Sequence, residues 1–168
     1  MALVGNLKVA LALTETKLTQ DFGAPAFTLA KDYSWKLATS GTGASQADLL
    51  FSDQRTLVQS ANEDLDLAGA LTSPLGTTFV AVKCKALGIF AAAANPGNLT
   101  VGRGATNGFP WISAVSAGVI IPPGGGVWWF APTAGITVVA GTGDLLNIAA
   151  AATTGSYVYD VHLLGTSA

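Results

Sequence analysis

Few side chains of this chain could do acid–base or nucleophilic chemistry. His162 is the one imidazole and Cys84 the one thiol. His162 stands two residues after Asp160 in an alternating segment, and that spacing puts both on one face of a strand. A carboxylate beside an imidazole could orient a general base, but no Gly-x-Ser-x-Gly elbow supplies a nucleophile. Cys84 lies among Val80, Val82 and Ala86. Lys83 and Lys85, which could lower its pKa, alternate to the opposite face, so it reads as a small buried thiol. Glu63, Asp64 and Asp66 form the densest acidic cluster. Calcium takes roughly six to eight oxygens, no EF-hand offsets follow, and a solvated turn is the simpler reading. Gly102-Arg103-Gly104 and Gly141-Thr142-Gly143 lack the Lys-Ser/Thr of a phosphate loop and read as turns. One Cys and one His leave no Cys/His zinc site within the chain. No catalytic set, cofactor or metal is expected.

Trp128, Trp129 and Phe130 offer something else. Neighbours on a strand face opposite ways, so Trp128 and Trp129 cannot both enter one core face. One of them must meet solvent, a second sheet, a partner chain or a ligand. Trp and Tyr are enriched at subunit interfaces, and aromatic platforms also bind sugars. The interface candidates are Leu7, Val9, Leu11, Trp111, Trp128, Trp129 and Phe130. A glycan platform would draw on Trp128, Trp129, Trp111 and Tyr157.

The elements that must position these residues follow from composition and period. Half the chain is hydrophobic and 11% is charged, with a mean hydropathy of +0.48. A soluble surface is roughly 25–35% charged, so much of this exterior must be neutral or covered by protein. Twenty glycines and seven prolines argue against a helical bundle. A net charge of −2 and a pI near 5.1 argue against nucleic acid as a partner. The N-terminus alternates Leu7, Val9, Leu11 and Leu13 against Asn6, Lys8, Ala10, Ala12 and Thr14, the pattern of a strand rather than a signal peptide. Residues 104–143 carry no charge, yet their prolines and glycines deny a membrane-spanning helix. Residues 77–93 read as one long strand-like run. Residues 60–64 read as a polar turn, as does Ser73-Pro74-Leu75-Gly76. The last strand alternates Tyr157, Tyr159, Val161 and Leu163 against Val158, Asp160, His162 and Leu164. Short strands punctuated by Gly and Pro predict an all-β fold. It would be a β-sandwich (jelly-roll-like) or barrel of about eight to ten short antiparallel strands, with an extended N-terminal segment. A mild shift in composition near residue 58 divides an N-terminal arm or hairpin, residues 1–57, from a β-core, residues 58–168, on which it packs as one structural unit.

A set of short motifs then becomes informative together. They are Gly41-Thr42-Gly43-Ala44-Ser45-Gln46-Ala47-Asp48, Phe51-Ser52-Asp53-Gln54-Arg55-Thr56 and Asp64-Leu65-Asp66-Leu67-Ala68-Gly69. Val82-Lys83, Pro123-Gly124-Gly125, Gly141-Thr142-Gly143-Asp144-Leu145-Leu146 and Tyr159-Asp160 leading to Gly165 follow in order. Over about residues 40–165 the chain resembles small virion structural proteins of tailed bacteriophages. The resemblance implies a β-sandwich module without catalytic residues. The role implied is that of a capsid decoration (cement) protein on the exterior of the virion, made in the host bacterial cytoplasm. Its implied partners are the major capsid protein and copies of itself, a homotrimer at a local three-fold position before a dimer at a two-fold, with neither nucleic acid nor membrane. The alternative is a phage tail or fibre module that binds host surface glycans. The N-terminal segment is expected to contact another subunit or the shell.

Overall fold

Alternating apolar side chains broken by Gly, Pro and Asn leave the backbone little choice but short paired strands. A computed structural model describes residues 5–16, 26–37, 40–69, 71–72, 76–113 and 117–168. Among them are thirteen strands: β1 (Gly5–Thr16), β2 (Ala26–Leu37), β3 (Leu49–Val58), β4 (Asn62–Asp66), β5 (Leu71–Thr72), β6 (Thr78–Phe79), β7 (Lys83–Ala91), β8 (Leu99–Arg103), β9 (Gly118–Ile121), β10 (Gly126–Phe130), β11 (Ile136–Thr137), β12 (Leu145–Ala150) and β13 (Ser156–Thr166). No helix occurs among the described residues, and the fold is all-β, as the sequence predicts.

Two sheets make the sandwich. One has the order β10-β7-β13-β3, with β11 also paired to β7, and the other β4-β12-β8-β9. The pairing follows one rule. β3 pairs β13, β4 pairs β12, β7 pairs β10 and β8 pairs β9, all antiparallel. The outermost strands of this stretch pair with each other, then the next, down to a central hairpin. A long double ribbon rolled into two layers has this jelly-roll-like order. Its core lies between the layers. Tyr157, Tyr159, Val161 and Leu163 of β13 face Leu146 and Ile148 of β12 and Leu99 and Val101 of β8, all buried.

Three expectations are corrected. Residues 77–93 are not one run: β6 ends at Phe79, and Val80 and Val82 are exposed while Ala81 and Cys84 are buried. The chain bends there, so Val80 and Val82 do not share the buried face of Cys84. The turn expected at residues 60–64 holds only at its start, where Ser60 has φ +57°; Asn62–Asp66 is a strand, because Leu65 is buried against β12 while its charged neighbours face other groups. The composition shift at residue 58 falls at the end of β3, and β3 is hydrogen-bonded to β13 along its whole length. Residues 49–57 therefore belong to the core sheet, which their polar outward row (Ser52, Gln54, Thr56) conceals in the sequence. The turn expected at Ser73-Pro74-Leu75-Gly76 lies mostly outside the described residues.

β1 and β2 form a separate two-stranded sheet with twelve paired positions. The extended N-terminal segment is thus an antiparallel strand pair, called the hairpin below, and residues 17–25 between its strands lie outside the described residues.

Where the chain crosses from β3 to β4, a polar cluster joins the margins of the two sheets. The Arg55 guanidinium donates to the Glu63 carboxylate at 2.8 Å, and the Tyr159 hydroxyl donates to the same carboxylate. Burial, and then the bond to Glu63, hold the Tyr159 phenol protonated far above the ordinary tyrosine range. The unfolded chain releases that proton near pH ~10. The stabilisation is therefore complete below about pH 10 and is lost as pH rises beyond it. Tyr159→Phe should lower the unfolding free energy at neutral pH by about 1–3 kcal/mol and flatten the loss of stability above pH ~10, both read from urea titrations. An unchanged alkaline slope would contradict this role.

Candidate functional site

The distinctive surface is the outer face of the five-stranded sheet. Pairing of β10 with β7 sets Trp128 opposite Gly88 and Gly126 opposite Phe90. Each ring lies over the glycine across from it. A Cβ on Gly88 would come within 2.5 Å of the Trp128 indole, and one on Gly126 would likewise run into the Phe90 ring. The absent side chains are what let the rings lie there. Phe90 and Trp128 meet edge to face at 5.1 Å, while Phe130 and His162 lie nearly parallel to the indole at 5.4 and 6.0 Å. Trp128 remains 37% exposed. Trp129 points the other way and packs, half-buried, against the core. The split of the two tryptophans that alternation requires is therefore observed, with Trp128 the outward one.

His162 and Asp160 do share this face, but they do not act on each other. His162 Nδ1 is hydrogen-bonded to Ser52 Oγ at 2.8 Å, and Asp160 accepts from Gln54 Nε2 at 2.9 Å. The imidazole thus has a hydroxyl neighbour but not the carboxylate that would orient it as a base. Ser52 was not singled out in the sequence, since it meets His162 only through the pairing of β3 with β13. Gly88 could have been found, because a lone glycine inside a strand marks close approach of another group.

The remaining chemistry-bearing residues serve the fold. The acidic cluster is divided by strand alternation: Glu63 turns to Arg55 and Tyr159, Asp64 accepts from Asn147 Nδ2 at 2.8 Å, and Asp66 accepts from the Ala68 amide at 2.8 Å. Among the described residues, no group of three acidic, His or Cys side chains is placed to share a metal ion. Arg103 donates to the Gly108 carbonyl and braces its own loop, while Asp144 accepts from the Gly141 amide at 2.6 Å and closes that turn, where Gly141 has φ +72°. Cys84 is buried, and burial pushes its thiol up to about 12. Lys85 is not on an outer face as alternation suggested. It sits beside a register shift between β7 and β13, is buried, and donates to the Thr133 carbonyl at 2.9 Å. Burial, and then Lys83, draw its ammonium below the usual lysine range.

The interface candidates divide accordingly. Trp111 is buried, and its indole N–H donates to the Gly102 carbonyl at 3.1 Å, so it serves this chain's own core and offers no outward surface. Tyr157, a candidate for the glycan platform, is likewise buried. Trp128 and Phe130 lie on the outer face, and Trp129 lies inward. Leu7, Val9 and Leu11 lie in one row of the hairpin, Leu7 opposite Trp35, Val9 opposite Tyr33 and Leu11 opposite Lys31. Leu11 is exposed; Leu7 and Val9 are placed by register alone.

Comparison with known proteins returns no match: no family model fits the chain, and no curated protein or solved structure is significantly similar to it.

Two outcomes follow from this geometry. Cys84 in the folded protein should resist thiol reagents and react only at the rate of opening, so a fast native-state reaction would contradict its burial. Gly88→Val should displace the Trp128 indole and shift tryptophan emission, while costing less stability than Ile89→Ala, whose side chain is wholly buried; Ile89→Ala should cost about 2–5 kcal/mol. Unchanged emission would show that the ring does not lie over Gly88.

Proposed function

We propose that this chain is a non-enzymatic virion structural protein: a decoration (cement) protein that binds the outside of an assembled phage head as a symmetric oligomer and stabilises it. The observation that carries the reading is exposed apolar surface on two separate sheets of an ion-poor chain. Leu11, Leu13, Leu29 and Tyr33 are exposed on the hairpin, and Trp128 on the sandwich. Surface of this kind marks protein contacts. Jelly-roll-like sandwiches serve in viral capsids, which agrees with the resemblance of residues 40–165, although a fold alone does not specify a function. Many symmetric copies on a shell add weak contacts by multivalency, and a closed oligomer hides apolar surface that a lone copy leaves wet. The major capsid protein is the proposed partner, with a trimer at local three-fold positions.

The second reading, a tail or fibre module that binds host glycans, is favoured by one observation, the outward indole of Trp128 with its near-parallel ring neighbours. Lectins also use jelly rolls.

Purified protein mixed with undecorated heads should co-sediment with them, saturate at a fixed ratio to capsid subunits, and raise the temperature at which the heads open. No co-sedimentation at any ratio, together with glycan binding abolished by Trp128→Ala, would favour the second reading.

A further inference from the structure

The hairpin has two unlike faces. Residues directly opposite on paired strands share a face, so the register sets Leu11 and Leu13 on the row of Leu29 and Tyr33. Lys31, opposite Leu11, lies in the same row. The Lys31 ammonium lies over the Tyr33 ring at 5.9 Å, which agrees with a shared face. The other face carries the Lys8–Asp32 ion pair at 2.9 Å and a Thr14–Thr28 contact, and suits water. A two-stranded hairpin is marginal by itself, and this one has Leu11, Leu13 and Leu29 between 42% and 56% exposed. Its apolar row needs a cover.

The same chain carries a surface of matching character. From β10 to β3 the outer face presents apolar Trp128, Phe130, Phe90 and Leu164, then a neutral polar row on β3, with one charged side chain, Asp160, at the boundary between them. One face carries Lys31 among apolar residues, and the other carries Asp160 between its aromatic patch and the polar row of β3. Their lengths agree, twelve residues in β1 against eleven in β13. Sheets stack face to face at about 10 Å with strands within about 30° of parallel, so the hairpin can lie on the sheet as a third layer.

We propose that the β1–β2 hairpin of one copy docks its apolar row on the outer face of the five-stranded sheet of the next copy, with Lys31 meeting Asp160. This deepens the self-association in the reading above and rests on that part of it. The contact is heterologous: each copy gives a hairpin and receives one, and the chain of contacts closes into a ring when the rotation allows. Two strands about 40 Å long and about 10 Å across together cover of order 400 Å². Each contact then hides of order 400 Å² on each partner, about half of a standard interface, and closure into a ring lets the two contacts of each copy act together. Packing against a second hairpin would instead leave the aromatic face of the sandwich uncovered and Asp160 without its counter-ion.

Charge exchange in the full-length chain tests this. Lys31→Glu and Asp160→Lys each place like charges inside the proposed contact, and the double variant restores opposite ones. In sedimentation equilibrium each single variant should weaken association by at least about tenfold, and the double variant should recover most of the loss. Thermal melts of the variants, diluted to monomer, check that the sandwich itself is intact. A Lys31→Glu effect with a silent Asp160→Lys, or a double variant no better than the worse single one, overturns the proposal. If wild-type protein still coats heads in that case, the decoration reading survives without it. A wild-type chain that is monomeric at every concentration and ignored by heads removes both.

Discussion

Every strand must dispose of two rows of side chains, and this chain has eight basic and ten acidic residues with which to wet one of them. That scarcity shapes the whole surface. In the sandwich the inward rows fill a core of Tyr, Leu, Val and Ile. The outward row of the five-stranded sheet is neutral or aromatic over most of its width. Among the described residues nothing layers over the hairpin, so Leu11, Leu13, Leu29 and Tyr33 stay exposed in the single copy. Charge is used where it closes something: Arg55 and Glu63 at the joined margins of the sheets, Lys8 and Asp32 across the polar face of the hairpin.

Glycines let the aromatic face form. A ring can lie over a neighbouring strand only where that strand lacks a side chain, and β7 and β10 supply this reciprocally through Gly88 and Gly126. The rings cover backbone that would otherwise be open and concentrate polarisable surface on one patch. A surface built this way is rigid, because Trp128 is held between Phe90, Phe130 and His162, and rigid aromatic surface loses little entropy on contact.

Much of the local structure was legible from period alone. The alternation in β13 gave the inward row Tyr157, Tyr159, Val161 and Leu163, and the alternation at residues 6–14 gave a strand. The opposite orientations of Trp128 and Trp129 follow from strand geometry. What period cannot reach is pairing. Ser52 meets His162 across 110 positions of chain, and Gln54 takes Asp160 by the same non-local register. Residues 60–64 read as a turn because they are polar, and only the approach of Arg55 and Tyr159 makes the Glu63 carboxylate tolerable within a strand. Trp111 looked like surface because nothing nearby in sequence reveals the Gly102 carbonyl that receives its indole N–H.

The central claim is that the hairpin is folded because something covers its apolar row. Amide hydrogen exchange along β1 and β2, followed at protein concentrations about a hundredfold apart, tests this most directly, since protection reports local opening free energy. The account predicts slow exchange at high concentration that quickens on dilution, while the amides of β13 stay protected throughout. Exchange in β1 and β2 at the rate of an unstructured chain, even at the highest concentration, would contradict it.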